Sequence, residues 1–163
     1  MNSKFRFALA VLALVSSHEA FAAPSTDACS MLTAAQVGGA LGSAVGEGKP
    51  AGPHVCEWSQ PPAGFRGKSV WLEIVAPVGK LSPADRFNTM KMPVPPEMGN
   101  KTAVTGLGDD ALYITPGKGA GVSGTTLAVK KGGFVFRIRV SGFPLEESKT
   151  KEKTLAQDVL AKL

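Results

Sequence analysis

The run FVFRIRV, residues 134–140, limits the fold more than any other stretch of the chain. Side chains alternate across an extended strand, so Phe134, Phe136, Ile138 and Val140 fall on one face. Val135, Arg137 and Arg139 fall on the other. Such a strand needs an apolar cover on its first face and leaves two arginines on its second. That predicts an antiparallel sheet buried on one side and polar on the other. Just before it, Lys131, Gly132 and Gly133 read as a hairpin turn. The turn joins this strand to TTLAVKK (125–131), with Leu127 and Val129 on one side.

Three further runs read as strands. HVCEWS (54–59) and ALYIT (111–115) are short. SVWLEIVA (69–76) alternates, with Val70, Leu72, Ile74 and Ala76 on one face and Trp71, Glu73 and Val75 on the other. Three runs read as helices. In LTAAQVGGALG, Thr33 and Gln36 form a capping box, Leu32 and Val37 a hydrophobic staple, and Gly42 the left-handed stop. In LSPADRFNTMK, Ser82 is the N-cap, Pro83 opens the first turn and Asp85 sits in it. Pro93, Pro95 and Pro96 end that helix by Met92. The last helix runs through KTKEKTLAQDVLAKL, with Leu155, Val159, Leu160 and Leu163 on one face and the KTKEK run solvated. Residues 43–53 read as a loop, and PVPPEMGN as a stiff exposed linker within the domain. The expected order is α-β-β-α-β-β-β-α. It describes an α+β domain, an antiparallel sheet of about five strands with helices packed on one face. The two halves resemble a repeated unit in element order but not in residue identity.

Residues 1–22 carry the marks of a secretory leader. Lys4 and Arg6 precede the apolar run FALAVLALV, which is too short for a bilayer span of roughly 20 residues. Ala20, Phe21 and Ala22 form a cleavage site. Residues 23–163 then form a single domain. No later run is apolar and long enough to span a membrane. Losing Lys4, Arg6 and Glu19 lowers the formal net charge of +5 by one. That modest surplus, together with export, argues against nucleic acid as a partner. The two cysteines, Cys29 and Cys56, read as a disulfide in an oxidising compartment. Closing a loop of about 28 residues stabilises by roughly 3.5 kcal/mol in the chain-entropy model. His18 leaves with the leader, and His54 alone remains. One histidine and two cysteines exclude two-histidine metal sites and zinc cages. No cofactor motif is present.

Candidate sites follow from what is left. Gly119, Gly121 and Gly124 spell G-x-G-x-x-G, but a β-rich stretch follows them where a dinucleotide site needs a helix. Lys118 precedes these glycines, the reverse of a P-loop. Asp109 and Asp110 are adjacent, so in a strand they point to opposite faces and do not converge on one metal or water. Gly106 and Gly108 permit positive φ, and aspartate favours turns, which makes Gly106, Gly108 and Asp109 a structural turn. His54 lacks the orienting partners of a catalytic base, and no serine occupies a G-x-S-x-G elbow. Arg137, Arg139, Lys130 and Lys131, with Trp71, remain as the candidate binding surface for an acidic partner or an anionic glycan.

The pattern ACSMLTAAQVGGALG … CEW … GLGDDALY … VKKGGFVFRIRV … LAQDVLAKL resembles a loose group of small secreted bacterial envelope proteins of unknown function, some of them lipoproteins. Cys29, Leu32, Thr33, Leu41, Gly42, Cys56, Trp58, Gly106, Leu107, Gly108, Asp109 and Ala111 carry the resemblance. It implies a disulfide-stapled α+β envelope domain and supplies no activity. The chain departs from the lipoprotein members because Asp27 and the distance from the apolar run spoil a lipid-anchor signal at Cys29. The expected function is a non-enzymatic periplasmic or secreted domain that binds a protein or an anionic envelope component, an inhibitor or immunity-type protein included. The alternatives are a small envelope hydrolase using Asp109 or Asp110, and a small-ligand carrier with a pocket lined by Trp58, Trp71 or Tyr113.

Overall fold

A computed structural model describes residues 26–60, 67–117 and 124–163. The expected leader, residues 1–22, and Lys118, Gly119 and Gly121 lie outside the described residues. The chain opens with a single turn, α1 (Ala28–Met31), and α2 (Ala34–Leu41). Strands β1 (Lys49–Gly52), β2 (Val55–Ser59) and β3 (Ser69–Ile74) follow, then α3 (Pro83–Lys91). Strands β4 (Gly99–Val104), β5 (Asp110–Pro116), β6 (Thr126–Lys131) and β7 (Phe134–Ser141) lead to α4 (Leu145–Leu160). The strands form one antiparallel sheet in the order β1-β2-β3-β7-β6-β5-β4. Two meanders, β1–β3 and β4–β7, meet where β3 pairs with β7.

The α+β class, the antiparallel sheet and the disulfide agree with the sequence reading, but the sheet has seven strands rather than about five. The two missed strands are its edges. β1 lies in the segment expected to be a loop; it contains Pro50, is exposed along its length and breaks register before Gly52. β4 begins at the end of the expected linker and is polar and mostly exposed. Edge strands bury little and tolerate proline, so neither shows an apolar alternation. The last helix also starts earlier, at Leu145, with Glu146 and Glu147 in its positive first turn.

Local signals fix the other helix ends. The Gln36 amide donates to Thr33 Oγ1 at 3.2 Å, and the Thr33 amide donates to Gln36 Oε1 at 2.9 Å. Gly42 closes α2 at φ 68°. Ser82 and Asp85 make the same reciprocal pair at 3.1 and 3.0 Å. On the first face of the sheet, α4 packs on β6 and β7, α2 packs on α4, and α1 lies on β2 and β3. Between them are buried Val37, Leu41, Trp58, Leu72, Leu127, Phe136, Ile138, Leu155 and Val159. Cys29 is bonded to Cys56, tying α1 to β2 beside Trp58. The chain passes over this knot at Gly48, where a Cβ would stand 2.6 Å from the Trp58 ring and 2.7 Å from Cys56 Sγ.

Helices do not all pack on one face, contrary to expectation. α3 covers part of the second face, where Phe87 is buried with Val75, Leu112, Ala128 and Val135. The reason is that this face changes character along the strands. At one end it is apolar enough to need a cover, and β6 is buried on both faces from Thr126 to Val129.

Candidate binding site

The other end of the second face is charged, and no described helix packs on it. Cross-strand register fixes which side chains meet there. Glu57 on β2 stands opposite Trp71 on β3, and Trp71 opposite Arg139 on β7. One step along, Glu73 stands opposite Arg137. One step the other way, Ser69 stands opposite Ser141. Directly opposed pairs are close enough to interact. Glu57, Ser69, Trp71, Thr126, Arg137, Arg139 and Ser141 line a concave pocket of about 370 Å³.

The two arginines in it differ. Arg137 is committed to the protein: its Nε donates to Glu73 Oε2 at 2.6 Å, Nη2 bonds the same oxygen, and the guanidinium lies 5.4 Å from the Trp71 ring centroid. Arg139 makes one hydrogen bond, from Nε to Thr126 Oγ1 at 3.2 Å. It has no ion-pair partner among the described residues. Its two Nη atoms therefore present a guanidinium fork suited to a planar anion.

The remaining members of the expected basic surface lie elsewhere. Lys130 shares the second face but stands opposite Asp110 and Val135, at the end that α3 occupies. Asp110 receives Lys91 Nζ from α3 at 2.6 Å. Lys131 pairs with Asp109 at 3.1 Å. Asp109 also accepts the Gly132 amide at 2.6 Å, so its carboxylate holds the β6–β7 turn. The Gly132 and Lys131 bonds together keep that carboxyl below the usual carboxylate range. Gly106 and Gly108 have φ of 77° and 57°, and a side chain at Gly108 would collide with the Lys130 carbonyl. Asp109 and Asp110 are thus engaged by different elements and do not face one site.

Of the three aromatic residues named for a carrier pocket, Trp71 lines the concave pocket of the second face. Trp58 is buried in the first-face core. Tyr113 packs against that core, and its hydroxyl donates to the Lys149 carbonyl at 2.8 Å. Burial first, then the charges of Glu152 and Glu146, push the Tyr113 phenol up to about 12. His54 borders a separate cavity of about 410 Å³ at one end of the sheet, lined mainly by Ile74, Val75, Pro77, Pro83, Phe134 and Val135. Among the described residues, no three His, Cys, Asp or Glu side chains stand together as a metal site, and no helix is long and apolar enough to cross a membrane.

One group escaped the sequence reading. Glu152, expected on a solvated face, is fully buried between α4 and the sheet. Its Oε1 accepts the Val140 amide at 3.1 Å, and its Oε2 accepts the Thr125 hydroxyl at 2.8 Å. The β6–β7 pairing ends at Leu127 and Ile138, and the carboxyl supplies the acceptor that the Val140 amide then lacks. Burial pushes Glu152 up to about 7, against the opposing pull of the two hydrogen bonds and of Arg139 and Lys149. A signal was present: Ser148, Glu152, Leu155, Ala156 and Val159 fall on one helical stripe.

Comparison of the chain with protein-family models, curated proteins and solved structures found no match.

Proposed function

We propose that this protein is an exported, non-enzymatic binding domain that engages an envelope protein or an anionic envelope component. The observation that carries the reading is the charged half of the second sheet face, which no described helix covers, with Trp71 and Arg139 side by side and Arg139 without an ion-pair partner among the described residues. A partly exposed tryptophan next to an arginine is the usual composition of an interface anchor. The disulfide fits an oxidising compartment, the periplasm or beyond, after leader cleavage near Ala22. The likeness to small secreted envelope proteins points the same way, and an inhibitor or immunity-type role falls within this reading. The hydrolase alternative loses support because Asp109 and Asp110 each serve a separate structural contact.

The test is capture from envelope extract on immobilised, oxidised protein, with Arg139→Gln and Trp71→Ala proteins as parallel baits. A partner retained by the native protein and lost by both variants is expected. Identical capture by all three refutes the assignment of this face. An Asp109→Asn protein that folds normally but loses a hydrolytic activity of the native protein would instead establish the hydrolase.

A further inference from the structure

Resting on that reading of the open sheet face, we infer that the pocket takes a carboxylated sugar, a hexuronic-acid ring whose carboxylate sits on Arg139. Four features of the pocket select this chemistry. The first is charge. Glu73 pairs with Arg137, so among the described lining residues Arg139 supplies the one cation without an ion-pair partner. A single carboxylate matches that one charge, whereas a phosphate dianion brings a second negative charge into a pocket that already holds Glu57. The planar fork of Arg139 suits the two coplanar oxygens of a carboxylate.

The second feature is the lining. Ser69, Ser141 and Thr126 bring three hydroxyls, and Glu57 brings two acceptor oxygens. Hydroxyls donate and accept, as ring hydroxyls do, and a carboxylate accepts from them. The third is Trp71, which adds an apolar wall for the C–H face of a sugar ring. The fourth is backbone pairing. β3 is bonded to β2 and β7, and β7 to β3 and β6. Along the pocket β3 is paired with β2 on one side and β7 on the other, so a peptide cannot add as a strand between them. A volume of about 370 Å³ falls within the range of small-ligand sites.

The chain contains two tryptophans, and Trp58 is buried in the core. A ligand-dependent change in indole emission therefore reports Trp71. The experiment titrates the oxidised protein with glucuronate, with a hexuronate oligosaccharide, with glucose and with acetate. Glucuronate and the oligosaccharide are expected to give saturable changes. Glucose is expected to bind about tenfold more weakly or not at all, because it loses the charged hydrogen bonds of the carboxylate, and acetate likewise, because it loses the ring's contacts with Trp71 and the hydroxyls. Arg139→Gln is expected to weaken glucuronate binding by about tenfold, with Arg139→Lys intermediate, at unchanged melting temperature. A free monosaccharide acid as the natural ligand gives equal affinities for glucuronate and the oligosaccharide; an extended glycan gives tighter binding of the oligosaccharide.

Equal responses to glucuronate and glucose, or no saturable response to either acid, overturn the inference. The broader reading is decided separately by the capture experiment. Loss of a protein partner from the Arg139→Gln and Trp71→Ala baits retains the surface and removes only the sugar; capture that ignores both substitutions removes the surface as well.

Discussion

Glu152→Gln is expected to stabilise the protein above neutral pH and to leave it nearly unchanged at pH 5. The native carboxyl is buried, and burial raises it from 4.5 to about 7. A raised carboxyl binds its proton more tightly folded than unfolded. Below the ordinary carboxylate range both states are protonated, and the full stability is present. As pH rises from about 4.5 to about 7, the unfolded chain releases the proton first and stability falls. At 1.36 kcal/mol per unit, the loss amounts to about 3 kcal/mol and is complete somewhat above pH 7. Glutamine mimics the protonated acid. Its Oε1 can accept the Val140 amide while its Nε2 donates to Thr125 Oγ1, whose hydroxyl turns to accept. The loss of attraction to Arg139 and Lys149 is already contained in the net shift. Thermal unfolding midpoints of both proteins at pH 5, 6, 7 and 8 measure the effect. The native curve should fall relative to the variant, with a gap of roughly 10 °C in melting temperature at pH 8 for a domain of this size. Asp85 and Asp109 are shifted downwards and lose stability only on acidification, in both proteins alike. Parallel native and variant curves between pH 5 and 8 would refute the assignment of a buried, protonatable Glu152.

Three further outcomes follow from packing. Phe87→Ala empties the contact between α3 and the second face and should cost about 3–5 kcal/mol, read by denaturant titration. Replacing Cys29 and Cys56 together by serine should cost roughly 3.5 kcal/mol, with the amides of α1 losing hydrogen-exchange protection before those of β7. Gly48→Ala places a methyl group against Trp58 and the disulfide and should cost about 1–3 kcal/mol, whereas Gly39→Ala, with open space around it, should be neutral or stabilising by the same measurement.

The central strands and the helix caps were legible because each carries its signal locally. The alternation of β7, the Thr33–Gln36 box and the Ser82–Pro83 start depend on neighbours a few residues away. The edges were not legible, since β1 and β4 bury almost nothing and owe their strand form to β2 and β5. The site was half legible. Alternation put Trp71, Arg137 and Arg139 on one side of the sheet, but Lys130 and Lys131 joined them only on the assumption that the whole side is uniform. Their real partners, Asp109 and the apolar end under α3, are set by register between strands far apart in sequence. Ala128 was the overlooked clue, a small apolar residue between Leu127 and Val129 that made β6 apolar on both faces.

That division of one sheet face explains why the pocket stays open. A second helix over Trp71 and Arg139 would have to bury an unpaired guanidinium, which costs far more than the apolar surface gained. At the other end Val135, Ala128 and Leu112 offer no such obstacle, and Phe87 settles there. The Glu73–Arg137 pair marks the boundary, and because Glu73 takes Arg137, it leaves Arg139 as the cation of the pocket. Removing Glu73 should therefore free the second arginine and make the pocket more attractive to doubly charged anions. The charge of this face then depends on the pairing of Glu73, which does not itself line the pocket.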